Sequence, residues 1–369
     1  MKVIIAGGGT GGHIFPAISI AEEILKRHIE NQVLFVGTKK GLEIKLLSKR
    51  DYTLELISSG GIKGKGIVGS LKGIALALKG VFDSLRIISR FKPDLVLGVG
   101  GYASGPLVFA AALLSIPTAI CEQNSVPGIT NRVLSRFVKR VFASFEESNR
   151  FFSQKKTIVV GNPVRSSILI NKEYSQAHNG FTILVFGGSQ GAHKLNLLVP
   201  KAFGTLRRND VFLIHQTGKE DLEDVRKAYE WYGIRADVLP FIEDIATVYK
   251  NANLVIGRAG AGTVAEITAL GKPSILVPYP FSAYNHQLEN AKVLEKAGAA
   301  IVVEEKDAVP ERLTDILKDL LNKDKLKEMS ERARVLGKPD AAQKIVDEMY
   351  KLARIQNPGV RMQKNSSGS

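Results

Sequence analysis

The chain has 369 residues, 44% of them hydrophobic, enough for roughly two domain-sized cores, and its single cysteine, Cys121, excludes an internal disulfide and suits a reducing compartment. The formal charge is +15 and uneven: 23 basic residues face 11 acidic ones up to Arg165, against 28 and 25 in the remainder. A basic first half implies an anionic partner, whether nucleic acid, membrane surface or phosphorylated substrate.

The N-terminus runs from Lys2 straight into an apolar strand pattern over residues 2–6, with no leader-like apolar segment before it. Gly7-Gly8-Gly9-Thr10-Gly11-Gly12-His13 follows, and then a helical pattern over 14–26. Glycines at such a turn let backbone approach a ligand, and the helix start offers unpaired N–H groups to an anion. The spacing is not the dinucleotide fingerprint, which needs G-x-G-x-x-G and an acid about 20 residues on. Further apolar runs fall at 33–36, 54–57, 95–99, 118–121, 141–143 and 158–160, with helical periodicity between them. No charge occurs between Asp94 and Glu122, but glycines and prolines break that segment, and its longest uninterrupted piece, 107–116, is short of the ~20 residues a spanning helix needs.

A second strand start at 181–186 leads into Gly187-Gly188-Ser189-Gln190-Gly191-Ala192-His193, echoing the first. Strand patterns follow at 211–215, 237–240, 254–256, 274–277 and 300–303. The whole reads as an α/β protein of two doubly wound, Rossmann-like domains with parallel sheets. The first domain is placed at 1–163 and the second at 164–340. A last helix, 341–356, is expected to pack back on the first domain, and the polar tail 357–369 to be disordered.

In such sheets ligands sit beyond the carboxyl ends of the strands. Four glycine loops fall there: 7–13, 98–106, 187–193 and Arg258-Ala259-Gly260-Ala261-Gly262-Thr263-Val264-Ala265-Glu266. If the domains oppose their carboxyl edges, these loops suit a diphosphate held by backbone N–H groups and helix dipoles. Glu266, one turn into a helix expected to begin near Gly262, can accept both hydroxyls of a ribose, or be a solvated first-turn acid. Gln287 and Asn290 share a helix face and can read sugar hydroxyls with their amides. His13 sits at a helix start, a place that favours neutral imidazole and so a base near pH 7; the alternative is a ring that only bonds a loop carbonyl. His193 has the same two readings with less support. No His-x-x-x-His or cysteine cluster occurs and no Asp-x-Asp pair, so no metal is expected.

Together, Gly-Gly-Thr-Gly-Gly-His at 8–13, Gly-Gly-Tyr-Ala-Ser-Gly-Pro at 100–106, Glu122-Gln123-Asn124, Gly161-Asn162-Pro163-Val164-Arg165, Gly187-Gly188-Ser189-Gln190-Gly191 and the 258–266 loop resemble the MurG family. These are bacterial cell-wall N-acetylglucosaminyltransferases of the GT-B fold, two Rossmann-like domains facing a central cleft. The match runs in order from residue 1 to about 350. The resemblance implies inverting transfer of N-acetylglucosamine from UDP-N-acetylglucosamine to undecaprenyl-diphosphate-N-acetylmuramoyl-pentapeptide (lipid I), forming the β-1,4 link of lipid II in peptidoglycan synthesis. It implies a peripheral enzyme at the cytoplasmic face of the cell membrane, no cofactor, and possible contacts with other cell-wall synthesis proteins.

By the same resemblance Thr10, Gly11 and Gly12 lie near the donor sugar and diphosphate. Asn124, Arg165, Ser189, Ile242 and Gln287 match donor-binding positions, the Ile242 backbone meeting the uracil. Ala261, Gly262, Thr263, Val264 and Ala265 lead to Glu266 on the ribose, and Asn290 is a sugar contact. His13 matches the catalytic group on the acceptor side. Cys121 stands where some relatives carry histidine, which leaves His13 as the base.

A lipid-linked acceptor needs a membrane-facing surface. Lys63, Lys65, Lys72, Lys79, Arg86 and Arg90 against Asp83 alone, interleaved with Ile67, Val68, Leu71, Ile74, Leu76, Leu78, Val81 and Phe82, suit an anionic bilayer; the other reading is a core helix with a solvated basic side. Two other functions compete. A UDP-N-acetylglucosamine 2-epimerase shares the architecture, but needs paired carboxylates around the sugar, whereas Glu266 is placed for ribose. A nucleic-acid binder fits the charge but lacks any helix-turn-helix, zinc-finger or RNA-binding aromatic motif, so no nucleic-acid partner is expected.

Overall fold

The computed structural model describes residues 1–39, 43–48, 50–60, 66–170, 180–188, 190–321 and 323–354, with 43, 45, 46, 66–75 and 323 described by backbone alone. The chain divides into two compact units, Met1–Arg165 with the segment from Pro339 onward, and Ser166–Lys338. The polar tail expected over 357–369 lies outside the described residues.

Unit 1 runs β1 (Lys2–Ala6), α1 (Gly11–Arg27), β2 (Gln32–Gly37), α2 (Glu43–Ser48), β3 (Leu54–Leu56), α3 (Gly66–Phe91), β4 (Leu95–Gly98), α4 (Ser104–Leu113), β5 (Thr118–Glu122), α5 (Ile129–Leu134), β6 (Arg140–Ala143) and β7 (Thr157–Val159). Its seven strands are all parallel, in the order β3-β2-β1-β4-β5-β6-β7. Successive side chains of a strand point to opposite faces. Val3 and Ile5 of β1 therefore enter the core shared with α1, while Ile4 and Ala6 enter the core on the other face, with Leu107 and Val108 of α4. Burial on both faces is why the strand reads as an unbroken apolar run. Helix α1 begins at Gly11, three residues before its apolar periodicity shows, because glycines carry no pattern.

Unit 2 runs α6 (Ser166–Leu169), β8 (Phe181–Phe186), α7 (His193–Leu206), β9 (Val211–Gln216), α8 (Leu222–Trp231), β10 (Ala236–Leu239), α9 (Ile245–Asn251), β11 (Leu254–Gly257), α10 (Ala261–Leu270), β12 (Ser274–Leu276), α11 (His286–Lys296), β13 (Ala300–Val302), α12 (Pro310–Leu320) and α13 (Lys323–Leu336). Its six parallel strands take the order β10-β9-β8-β11-β12-β13. In both sheets the winding reverses beside the first strand, between β1 and β4 and between β8 and β11. At a reversal the two loops leave in opposite directions and open a crevice at the carboxyl edge.

The last helix, α14 (Ala341–Ala353), belongs to unit 1 and lies against α1. Ile345, Val346, Met349 and Tyr350 are buried there with Ile14, Ile18 and Ile24. The Tyr350 hydroxyl accepts from Asn31 Nδ2 at 2.7 Å, and Arg27 pairs with Asp347 at 3.0 Å. Among the described residues no helix is long and apolar enough to cross a membrane. Tyr350→Ala leaves a cavity and takes from the Asn31 amide one of its two acceptors, the other being Ile24 O, and is expected to destabilise unit 1 by about 3–5 kcal/mol. A urea midpoint within error of the parent chain would show that α14 contributes nothing to this core.

Candidate active site

In unit 1 the loops after β1 and β4 touch through backbone. Gly101, at φ +80°, has no room for a Cβ against the Gly8 carbonyl, and a Cβ on Gly100 would stand 2.7 Å from His13 Cδ2. The His13 ring thus lies along the Gly100 backbone. Its Nδ1 is 3.3 Å from Gly8 O and 3.4 Å from Thr10 Oγ1. A proton on Nδ1 serves the Gly8 carbonyl and leaves the Nε2 lone pair as the acceptor. Thr10 caps α1 by backbone geometry, with no side-chain capping bond to a helix N–H, and Thr10 O takes the N–H of His13 and Ile14 at 3.2 Å. The N–H groups of Gly11 and Gly12, in the first turn, have no intrahelical acceptor.

The Glu122-Gln123-Asn124 run follows β5. Glu122 is buried, and burial raises its carboxyl pKa against hydrogen bonds that favour the charged form. It accepts from Asn124 N at 3.0 Å, Asn124 Nδ2 at 3.3 Å and Asn131 Nδ2 at 2.8 Å. Gln123 donates to Val99 O at 2.9 Å. Glu122 therefore braces Asn124, which stays half-buried at the carboxyl edge, while Gln123 ties the run to the end of β4. Cys121 is a core thiol whose pKa burial pushes up, so it offers no thiolate. The Arg165 guanidinium lies 4.6 Å from the Phe15 ring of α1, near the same helix start as His13.

In unit 2 the glycine turn after β8 rests on the segment after β9. Gly191, at φ +81°, admits no Cβ because Thr217 O occupies that place. Ser189, in this turn, lies outside the described residues. Below the turn runs a polar chain. Asn196 Nδ2 donates to Thr217 O at 2.8 Å and to Asp221 Oδ2 at 2.6 Å, so its Oδ1 must accept, at 3.1 Å, from His215 Nε2. His215 Nδ1 then accepts from the Tyr229 hydroxyl at 2.8 Å. His215 is neutral in this arrangement, and burial lowers its pKa to about 3. His193 is exposed and holds Asp221 Oδ1 through Nδ1 at 2.9 Å.

Helix α10 starts at Ala261, with Gly260 as its cap, and its first intrahelical bond is Val264 N to Gly260 O at 2.9 Å. The N–H groups of Ala261, Gly262 and Thr263 thus face outward from the helix end, where the dipole is positive. Glu266 falls in the second turn and is 9% exposed, so it is no solvated first-turn acid. Val264 is buried in the core and Ala265 is half-buried. Arg258 is buried: it donates to Val277 O at 3.0 Å and Pro278 O at 3.2 Å, and pairs with Glu305. Its guanidinium is thus committed to the carbonyls after β12 and to the carboxylate after β13. Asn290 is fully enclosed and donates to Ala259 O at 3.2 Å, which puts it behind the 258–260 loop, whereas Gln287 Oε1 accepts from Tyr279 N at 3.0 Å at the surface. Ile242 is buried, and its N–H donates to Gln216 Oε1 at 2.8 Å.

Thr10, Gly11, Gly12, His13, Asn124 and Arg165 thus belong to unit 1, where Arg165 lies beside the start of α1, and Ile242, residues 261–266, Gln287 and Asn290 belong to unit 2, where Asn290 lies against the 258–260 loop. The bracing residues Asn196, His215, Gln216, Thr217 and Asp221 were not singled out from the sequence. Three polar residues in a row, His215-Gln216-Thr217, ending an apolar strand were the available signal. Among the described residues no group of three or more His, Cys, Asp or Glu side chains could hold a metal ion.

Residues 3–143 match the glycosyltransferase family 28 N-terminal domain and residues 182–345 its C-terminal domain. The UDP-N-acetylglucosamine–N-acetylmuramyl-(pentapeptide) pyrophosphoryl-undecaprenol N-acetylglucosamine transferase of Syntrophus aciditrophicus is 48% identical over 359 residues, covering 96% of this chain and 99% of that one. The crystal structure of Acinetobacter baumannii MurG is 34% identical with a TM-score of 0.78, over 95% of this chain and 99% of that one. A Neisseria meningitidis UDP-GlcNAc 2-epimerase bound to UDP-GlcNAc reaches a TM-score of 0.66 over 95% of this chain and 100% of that one, at 17% identity, a likeness of fold alone.

The neutral His215 gives a pH dependence with a definite sign. Below the ordinary histidine value of 6.5 the unfolded chain binds a proton that the folded one refuses down to about pH 3. Stability is therefore complete above that value and falls as the pH drops through this window. His286, also lowered by burial, acts in the same direction. Asp221, which burial pushes up but bonds from Asn196 and His193 hold low overall, matters only below the ordinary aspartate range. Between pH 6 and 4.5 the expected loss is about 1 kcal/mol per pH unit, and His215→Gln should flatten it in urea titrations. An unchanged slope in that variant would assign the dependence elsewhere.

Proposed function

The chain belongs to glycosyltransferase family 28, and from that membership we propose how its residues divide the work of transfer. It is a glycosyltransferase of the GT-B fold. It transfers N-acetylglucosamine from UDP-N-acetylglucosamine to N-acetylmuramyl-(pentapeptide) pyrophosphoryl-undecaprenol in peptidoglycan synthesis.

Unit 2 holds the donor. The observation that carries this reading is the start of α10, where three N–H groups beyond the reach of the intrahelical ladder lie one turn before the buried residue Glu266. The N–H groups at 261–263 and the glycine turn with Ser189 take the diphosphate, and Glu266 takes the ribose hydroxyls. The Ile242 N–H is engaged with Gln216, so its backbone meets the uracil through the carbonyl. Gln287 contacts the sugar, while Asn290 acts from behind by holding the 258–260 loop.

Unit 1 takes the acceptor. The acceptor's C4 hydroxyl attacks C1 of the donor sugar from the face opposite UDP. As that bond forms, the C1–oxygen bond to the diphosphate breaks with inversion. The hydroxyl proton passes to Nε2 of His13, whose ring the Gly100 backbone and Gly8 carbonyl orient. Charge growing on departing UDP meets helix N-termini and Arg165, with Thr10, Gly11, Gly12 and Asn124 beside the transferred sugar. This scheme asks nothing of a metal.

The surface that meets the bilayer is α3. Leu76, Leu78 and Phe82 are exposed on it, and Arg86 lies 4.3 Å from the Phe82 ring. Lys79 stands exposed beside them. Lys63 and Lys65 lie outside the described residues, and Lys72 is described by backbone alone. Apolar side chains with basic neighbours suit anionic headgroups, at about 1 kcal/mol per basic residue. The enzyme then works as a peripheral protein at the cytoplasmic face.

His13→Ala should lower kcat by about 10²-fold or more while the KM for UDP-N-acetylglucosamine changes little. Steady-state transfer to a short-chain lipid I analogue checks this, and unimpaired turnover would remove His13 from the chemistry. Activity in that assay should survive EDTA; loss in chelator with recovery on adding Mg²⁺ would contradict the metal-free scheme. Charge reversal at Lys72, Lys79 and Arg86 should abolish flotation with anionic vesicles, and intact binding would place the membrane face elsewhere.

A further inference from the structure

At the carboxyl end of β9, His215, Gln216 and Thr217 are consecutive, polar and no more than 5% exposed. Buried polar atoms are costly unless bonded, so their partners show what they are for. His215 and Thr217 join the chain through Asn196 and Asp221 below the glycine turn. Gln216 points its amide the other way. Its Nε2 donates to Gly188 O at 2.7 Å and its Oε1 accepts from Ile242 N at 2.8 Å. Gly188 O also accepts from Gly191 N at 3.1 Å, so the carbonyl that closes the glycine turn is the one Gln216 holds.

We infer that Gln216 is a positioning residue for the donor, one amide that fixes the diphosphate turn and the uracil-facing segment in a single register. The inference rests on the reading that unit 2 holds UDP-N-acetylglucosamine. A primary amide suits the task because it donates and accepts about 2 Å apart in one rigid plane. Neither an apolar side chain nor a carboxylate reproduces both bonds. With the amide absent, the turn and the segment at 242 move independently, and the donor must order both on binding. The reacting atoms are untouched, so the cost falls on donor affinity.

The test uses the full-length chain. Gln216→Met keeps the length and removes both bonds. Gln216→Glu keeps the acceptor for Ile242 N and loses the donor to Gly188 O. The Met variant should raise the KM for UDP-N-acetylglucosamine and the Kd for UDP about tenfold, with kcat at saturating donor within about threefold and acceptor KM unchanged. The Glu variant should raise donor KM too, and it keeps the inference testable if the Met variant does not fold. Amide exchange at Ile242 should quicken in the Met variant and stay slow in the Glu variant. A folded variant of either kind with unchanged donor KM, or with its loss confined to kcat, overturns the inference. Glu266→Ala separates this from the underlying reading. If it raises donor KM while both Gln216 variants do not, only the positioning role fails. If it too leaves donor KM unchanged, the assignment of the donor to unit 2 fails.

Discussion

Parallel strands covered on both faces leave one place for chemistry, the edge where their carboxyl ends emerge. Each strand there must turn into a helix, and at the reversal points of the two sheets the turns part and leave backbone exposed. What can act at such a point depends on how near the backbone can come to a ligand. The glycine turns set that distance: Gly101 lies against Gly8, and Gly191 against Thr217, with no space for a side chain at either contact. In the proposed function, backbone N–H groups and helix starts are the anion-binding surface, and side chains orient and discriminate.

A division of labour follows in unit 2. Several polar side chains near the proposed donor positions are turned inward and hold the loops. Arg258 is spent on two carbonyls and Glu305, Asn290 on Ala259, and Gln216 on the turn and Ile242. This fits a site whose ligand is a flexible, highly charged nucleotide sugar. Fixing the loops beforehand removes an ordering cost that each binding event would otherwise carry. In unit 1 the same logic appears at Glu122, which braces Asn124, at Gln123, which holds Val99 O, and at Gly100, whose backbone the His13 ring lies along.

The central strands are legible because doubly buried strands announce themselves as apolar runs, and the less buried edge strands β3, β7 and β10 fall on shorter runs that the sequence also shows. The glycine loops were legible for a related reason: nothing else interrupts those runs so densely. Roles were harder. Sequence spacing put Gln287 and Asn290 on one helix face, but only the packing shows that Asn290 is sealed behind a loop while Gln287 reaches the surface. Arg258 belongs by sequence to a loop suited to phosphate, but its guanidinium pairs with Glu305, 47 positions along the chain. Gln216 and Asn196 join segments far apart in sequence, and no local pattern encodes such a bond.

The account turns on where the nucleotide rests. A crystal structure of the chain with UDP-N-acetylglucosamine should show the ribose hydroxyls on the Glu266 carboxylate, the diphosphate on the N–H groups of residues 261–263, and the Gln216 amide still bridging Gly188 and Ile242. A nucleotide bound to the 7–13 loop, with Glu266 left without contact to it, would contradict the account at its root.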